Sequence, residues 1–388
     1  MNDVLRKGRS LIVAGCVLSA LFALPFNLLP ILLGSLADTY SLAAEQIGLL
    51  GSALTTGWLA GSITTFILMP RLSRRVLASA GISLTIAGYL LSNVAGSLTL
   101  LDATWFLVGF GTSIPFSIAI QSLGEVGGQE RVMGMKQGSE VFLGAMLLYL
   151  FPVIFMLRWG YAGASVGLAA ILLTGFLVLK RIPRRANVQS VTREVSSIIT
   201  GNGRAWVALG AYALFMCGQV GLWAFIERIG VDLSMSGQQI GIVLAILKVL
   251  GGVAALIAVF AGRRFGGRWP HIVSLAMVAI GAYLLDDAGG FIAYAVGAWA
   301  WEFGFSLSQC YQMAAVPRLD RSGRLTTLVA AAAGVGAAFG PAIAGYLRAS
   351  TGSYSAILLF TTSTVALVVV AYWRLMAPQT LAAERHTV

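Results

Sequence analysis

Charge is scarce in this 388-residue chain. Asp, Glu, Lys and Arg together make up 11% of it, where a soluble domain carries about 25%, so an ordinary water-facing surface around one apolar core is excluded. Cysteine is scarce as well. Cys16, Cys217 and Cys310 are the only three; they fall inside apolar runs, without the spacing of a disulfide framework or a metal site, and read as ordinary buried thiols. Histidine is limited to His271 and His386, which leaves no His/Cys/carboxylate cluster able to hold a metal. No Gly-x-x-x-x-Gly-Lys-Ser/Thr phosphate loop is present, so ATP-driven work by this chain alone is not expected. No cofactor is implied. Acids, bases and ligands do not gather at one interface, so a membrane enzyme is not expected either.

What is abundant is apolar sequence. Hydrophobic residues make up 58%, and they come in blocks of roughly 20, the length that crosses about 30 Å of hydrocarbon at 1.5 Å per residue. Only helices or closed barrels satisfy the backbone inside a bilayer, and unbroken runs select helices. Twelve spans are predicted near 11–33, 46–69, 76–97, 101–123, 136–157, 161–180, 205–226, 239–261, 270–285, 290–313, 325–348 and 354–376. The first follows Arg6, Lys7 and Arg9, but its apolar stretch is longer than a signal-peptide core and no small-residue cleavage site follows it, so it is read as a retained helix.

The net charge of +11 would suit a nucleic-acid partner if it were clustered on one soluble face. It is instead sorted by topology. With the N-terminus on one side and loops alternating, that side holds 22 basic residues and the other only Arg158, Arg228 and Arg348, with Lys248 left inside a span. The positive-inside rule then places both termini in the cytoplasm. A bacterial inner membrane, lipid contacts and no nucleic acid are the corresponding expectations.

The chain also nearly repeats itself. A shift of 193 residues lays Ser41-Leu-Ala-Ala-Glu-Gln-Ile-Gly48 on Ser234-Met-Ser-Gly-Gln-Gln-Ile-Gly241, Arg71 on Arg264 and Arg75 on Arg268. Residues 181–204 form the longest loop and lack a spanning run, which divides the chain into an N-terminal six-helix bundle (1–180), a cytoplasmic linker (181–204) and a C-terminal six-helix bundle (205–388). Six is even, so both bundles enter the membrane the same way up, as a parallel repeat.

Two basic loops carry a resemblance to a known family. Pro70-Arg-Leu-Ser-Arg-Arg-Val76 lies between spans 2 and 3, and Arg263-Arg-Phe-Gly-Gly-Arg268 between spans 8 and 9; Gly340-Pro341 with Gly345 lies in span 11. In this pattern, over nearly the whole chain, the protein resembles the major facilitator superfamily. The resemblance implies an all-α membrane protein of twelve transmembrane helices in two parallel six-helix bundles, working as a monomeric secondary transporter by alternating access. It also implies that spans 1, 4, 7 and 10 line a central cavity and that Arg71, Arg75, Arg264 and Arg268 belong to cytoplasmic gate loops. Three departures stand out. Pro70 and Arg263 occupy the place where the family usually has Asp, so an acid–base latch there needs Glu125, Glu130 or Asp320. Trp105 replaces the helix-4 arginine of many proton-coupled members. Span 5 lacks the Gly-Pro of many drug–proton antiporters.

Two ionisable residues fall near the bilayer centre, where a charge costs roughly 2.5–3.5 kcal/mol on insertion scales and is usually functional. Lys248 shares a face with Gly241, Ala245 and Gly252, a small-residue stripe that turns it inward, and its repeat partner is the neutral Thr55. It is a candidate site for a substrate carboxylate or phosphate; the alternative is a lysine that only neutralises Glu302. Glu302 is the candidate proton-coupling group, against the alternative of a static ion pair. Asn27, between Pro25 and Pro30, and Gln219, Trp223 and Trp301 are the further substrate-binding candidates. Tyr212, Ser113, Ser117, Gln121, Ser308 and Gln312 are polar positions on the lining faces that also suit helix bridging. Glu140, four residues after Lys136, reads as an interfacial pair, and Glu227 with Arg228 as a solvated one.

The expected activity is proton-linked movement of a small organic solute, an organic anion, by symport. The rival is an efflux exporter of lipophilic or cationic compounds in which Glu302 binds the cation. A lipid scramblase, which would move lipid without an ion gradient, is the reading from another class.

Overall fold

A computed structural model describes residues 2–126, 129–184, 203–261, 268–286, 289–319 and 328–375. Arg264, Asp320, His386 and most of 181–204 lie outside the described residues, as does the side chain of Glu130.

The described residues are helical almost throughout and contain no strand. The first span is α1 (Asn2–Asn27) followed by α2 (Leu29–Tyr40). α3 (Ala44–Leu68), α4 (Arg74–Ser92), α5 (Leu98–Gly124) and α6 (Gln129–Phe151) follow, and a π-helical turn at Pro152–Met156 leads into α7 (Leu157–Leu173) and the short α8 (Gly175–Val178) as the sixth span. The second half is α9 (Gly203–Asp232), α10 (Gly237–Ala261), α11 (Trp269–Asp286), α12 (Phe291–Leu319), α13 (Val329–Thr351) and α14 (Ser355–Leu375). Among the described residues ten segments are both long and apolar enough to cross a membrane, one of them (Arg131–Arg181) covering the fifth and sixth spans. α12 is long enough but more polar. The helices thus match the twelve predicted spans.

Several ends differ from the prediction, two of them for readable local reasons. The first helix continues to Tyr40 rather than 33. Pro25 and Pro30 remove backbone donors, yet Leu28 N–H still bonds Leu24 O at 2.8 Å and Leu32 N–H bonds Leu28 O at 3.0 Å, so helix resumes after one turn residue. α4 stops at Ser92 rather than 97 because Asn93 turns its amide back onto Tyr89 O (2.9 Å) and across to Ser165 Oγ (2.8 Å).

The chain gathers into two compact units, Met1–Arg193 with Ser236–Ala245, and Glu194–Met235 with Ile246–Val388. Between the two repeat halves, the 193-residue correspondence holds at the level of single contacts. Ser41 and Ser234 are the described non-glycine residues with positive φ, 53° and 58°. The next helices open alike: Gln46 Oε1 accepts from Ala43 N–H, and Gln239 Oε1 from Ser236 N–H, each at 2.9 Å, the reciprocal arm of a capping box. Close helix packing also recurs. A β-carbon on Gly111 would stand 2.8 Å from Gly81 O, and one on the matched Gly304 would stand 2.8 Å from Ser274 O. Small residues let these backbones touch, and Ser274 Oγ adds a bond to Gly304 O at 2.6 Å.

Candidate functional site

Helices α9, α10 and α12 of the second unit assemble most of the predicted substrate residues. Gln219 and Trp223 lie four apart on α9 and therefore share one face; Trp301 and Phe305 do the same on α12. Trp301 Nε1 donates to Gln219 Oε1 at 2.7 Å, which fixes both side chains. The rings then form a row: Trp223 to Trp301 with centroids 6.4 Å apart and planes at 22°, Trp301 to Phe305 at 6.1 Å and 9°, and Phe305 to Phe215 at 5.6 Å and 27°. Trp301 and Gln219 are each only 1% exposed. The second amide end, Gln219 Nε2, is buried without a hydrogen-bond partner among the described residues.

Lys248 enters from α10. It is half-buried, and its Nζ lies 4.1 Å from the centre of the Trp223 ring, a cation–π contact worth up to about 2 kcal/mol when desolvated. Among the described residues no carboxylate comes within ion-pair distance of it. Glu302 is close enough for the two charges to act on each other, but its carboxylate points elsewhere: it accepts from Ser306 Oγ at 3.1 Å and rests against the α-carbon of Gly251. The static Lys248–Glu302 ion pair weighed from the sequence does not form here. Lys248, Gln219, Trp223, Trp301 and Glu302 are therefore brought together.

Asn27 belongs to the first unit. It ends α1 and packs beside Gly144 of α6, whose β-carbon would stand 3.1 Å from Asn27 Nδ2. The Lys136–Glu140 pair is present, with Nζ to Oε1 at 2.9 Å. It is more than interfacial, because Glu140 also accepts from Ser19 Oγ of α1 and Lys136 lies 5.0 Å over the Phe116 ring. Phe116, Trp58 and Phe26 continue as a second aromatic row, at 5.0 and 6.4 Å. Glu227 and Arg228 do pair, at 2.6 Å, but Glu227 is 8% exposed; the solvated pair expected from the sequence is corrected to a largely buried one, since the carboxylate lies on the inner face of α9. Ser113 bonds back to Phe110 O at 3.0 Å, and Tyr212 meets Gln309 Nε2 at 3.4 Å. Ser308 and Gln312 bridge: Gln312 Nε2 donates to Ser308 Oγ at 2.9 Å, and Ser308 Oγ meets His271 Nδ1 of α11 at 3.1 Å.

Two of the basic-loop arginines, Arg75 and Arg268, do matched work. Arg75 Nη2 donates to Lys180 O at 2.6 Å and its Nε to Ile182 O at 2.7 Å. Arg268 Nη2 donates to Trp373 O at 3.0 Å, with its guanidinium 4.5 Å over the Trp373 ring. Lys180 and Trp373 are again 193 apart, so each arginine ties the start of one helix to the end of the last helix in its own half. Arg71 is exposed. The acid–base latch exists in the first unit, between Glu125 at the end of α5 and Arg74 at the start of α4, with Nη1 to Oε2 at 3.0 Å and a second parallel bond from Nη2. Arg74, 1% exposed, was not singled out from the sequence. Its only sequence signal is its place as N1 of α4, one residue from a more visible Arg75. At the opposite end of the second unit, Arg348 reaches Asp232 at 3.3 Å and covers Tyr354 at 4.4 Å; burial, first, pushes the Tyr354 hydroxyl up to about 12.

A sequence profile of the Major Facilitator Superfamily matches residues 208–386. That match lies in the second half of the chain, which is similar to the major facilitator superfamily. Solved structures agree on the fold over 95% of its length. A mutant form of the nucleoside transporter NupG superposes with a TM-score of 0.80 at 12% identity, covering 100% of that chain. The D-xylose-proton symporter gives 0.77 at 12% identity over 98% of that chain. A bacterial homolog of the human lysosomal transporter Spinster, inward-facing and unoccupied, gives 0.67 at 13% identity over 95% of that chain. No curated protein matches the sequence significantly. At these identities the likeness is one of fold. The profile match over the second half is to the major facilitator superfamily, and the fold is shared with solved membrane transporters.

Proposed function

We propose that the protein carries a small organic anion with a planar portion across the bacterial inner membrane by proton-linked symport, its two termini in the cytoplasm and its bundles at 1–180 and 205–388. One observation carries the reading. In a site walled by stacked indoles, Lys248 has no described carboxylate within ion-pair distance and Gln219 Nε2 has no described acceptor. A carboxylate or similar anion supplies what both lack: charge for the ammonium and a lone pair for the amide, bonds that strengthen where water is excluded. The indole row offers the planar part a stacking surface. Glu302, one helix away and within the field of Lys248, is the group whose proton affinity an arriving anion would change, which is the coupling that symport requires.

The exporter reading is favoured by one feature, a buried carboxylate beside aromatic rings, which also suits a lipophilic cation. An uncharged ring solute, of the kind named for NupG and the D-xylose-proton symporter, would use the indoles and Gln219 but not the lysine. Solid-supported-membrane currents from reconstituted protein, challenged with aromatic organic acids, lipophilic cations and nucleosides, separate the three. Acid-evoked currents lost in Lys248→Ala are expected. Currents evoked only by cations, or unchanged in Lys248→Ala, overturn the anion reading.

A further inference from the structure

The repeat aligns the Lys248 site with a place in the first unit where nothing is charged. Lys248 corresponds to Thr55, Glu302 to Gly109, Gly251 to Trp58 and Ser306 to Ser113. In the first unit, a β-carbon on Gly109 would strike Leu54 O and lie 2.9 Å from Trp58 N. There α3 and α5 touch backbone to backbone, the glycine on α5 and the large side chain on α3. In the second unit the sizes are exchanged: α12 carries the long side chain, Glu302, and α10 carries the glycine, Gly251. A β-carbon on Gly251 would collide with Glu302 Oε1 and stand 2.9 Å from Ser306 Oγ, the hydroxyl that donates to that same carboxylate. The bare α-carbon of Gly251 and the hydroxyl of Ser306 are thus two sides of one seat.

The seat has an electrostatic consequence. Lys248 and Gly251 are three residues apart, on neighbouring turns of one helix face. A carboxylate turned out of the seat has Lys248 as the cation that already acts on it, and a pair formed there would neutralise the ammonium. Gly252, next in sequence, belongs to the small-residue stripe of Lys248 and needs no further role. We propose that Gly251 is a positioning residue that seats the Glu302 carboxylate away from Lys248, so that the lysine is kept for the solute anion. This rests on the reading of Lys248 as the anion site, which it deepens by naming what prevents the lysine and the glutamate from satisfying one another.

The test needs no solute. Thermal midpoints of the purified full-length protein are measured for wild type, Lys248→Met, Glu302→Gln and the double variant, once with Gly251 and once with Gly251→Ala. With Gly251 in place, the two charge-removing substitutions should couple only weakly, through the field that links two charges that do not pair. In the Gly251→Ala background the coupling should grow by about 2–4 °C or more, because the displaced carboxylate now pairs with Lys248. Equal coupling in the two backgrounds, whether zero or large, overturns the proposal. If Gly251→Ala alone does not fold, Glu302→Ala should rescue it, since the colliding atoms are gone; a midpoint for Gly251→Ala/Glu302→Ala well below that of Glu302→Ala also overturns it. Failure of this cycle leaves the transport reading intact, and normal acid-evoked currents in Lys248→Ala leave the seat intact, so the two ideas fall separately.

Discussion

Gln219 uses one end of its amide and leaves the other open. Its oxygen holds the Trp301 indole at 2.7 Å, and its nitrogen has no acceptor among the described residues. Substitutions can separate these roles. Gln219→Leu removes both; it strands the buried Trp301 N–H, at a cost to stability of about 1–3 kcal/mol. Gln219→Glu keeps an acceptor for Trp301 but removes the unpartnered donor and adds a charge of the wrong sign for an anion. Binding of the acid found by the current measurements should therefore weaken at least ~10-fold in Gln219→Glu, roughly 1.4 kcal/mol, while the thermal midpoint falls less than in Gln219→Leu. Titration of tryptophan fluorescence on purified protein checks this, and unchanged affinity in Gln219→Glu would remove the amide from the site. The candidacy of Gln219, Trp223 and Trp301 was legible in the sequence because four-residue spacing alone puts polar and aromatic groups on one helix face. Where the Glu302 carboxylate points was not, because its direction depends on Gly251, on a helix about fifty residues away in sequence.

Helix ends show the opposite balance. The gapless repeat located Arg75 and Arg268 in sequence, and the structure gives them the same partner position in each half, Lys180 O and Trp373 O. Both arginines are half-buried and both of these bonds are exposed, but Arg75 adds a part-buried second bond to Ile182 O, and water and salt weaken charge-assisted contacts in the open more than such a sheltered one. Arg75→Ala should accordingly lower the thermal midpoint more than Arg268→Ala, and raising salt should shrink the Arg268→Ala effect further; the reverse order would show that these bonds do not hold the helix ends. The Arg74–Glu125 latch was only half legible. Glu125 stood among the candidate acids, but its partner depends on the end of α5 meeting the start of α4, which no local pattern reveals. Arg74 is 1% exposed and forks onto both carboxylate oxygens, so Glu125→Ala would leave a buried cation without its counter-charge, a loss of about 3 kcal/mol. A double variant, Arg74→Met with Glu125→Leu, should recover much of that loss in the same thermal assay.

At the scale of the whole chain, the two halves repeat their scaffold and differ in their chemistry. Matched caps, matched glycine contacts and matched arginine ties build each unit, while Thr55 and Gly109 of the first become Lys248 and Glu302 of the second. The first unit has its own lysine and glutamate, Lys136 and Glu140, but they are bound to each other at 2.9 Å, so their charges cancel locally. The lysine and glutamate of the second unit do not bond to each other, and that asymmetry points to where coupling would reside. If Glu302 exchanges the proton that accompanies the anion, Glu302→Gln, which cannot ionise, should still bind solute, because Lys248 and Gln219 are untouched. It should also still exchange labelled for unlabelled solute across a proteoliposome membrane, since exchange requires only the loaded carrier to reorient. What it should lose is net accumulation driven by an inward proton gradient, together with the pH dependence of that uptake. Lys248→Ala should fail in both assays. Full gradient-driven accumulation by Glu302→Gln would move the proton site elsewhere, with Glu140 the next group to test; loss of exchange as well would make Glu302 part of the binding site itself rather than the step that couples it to the proton.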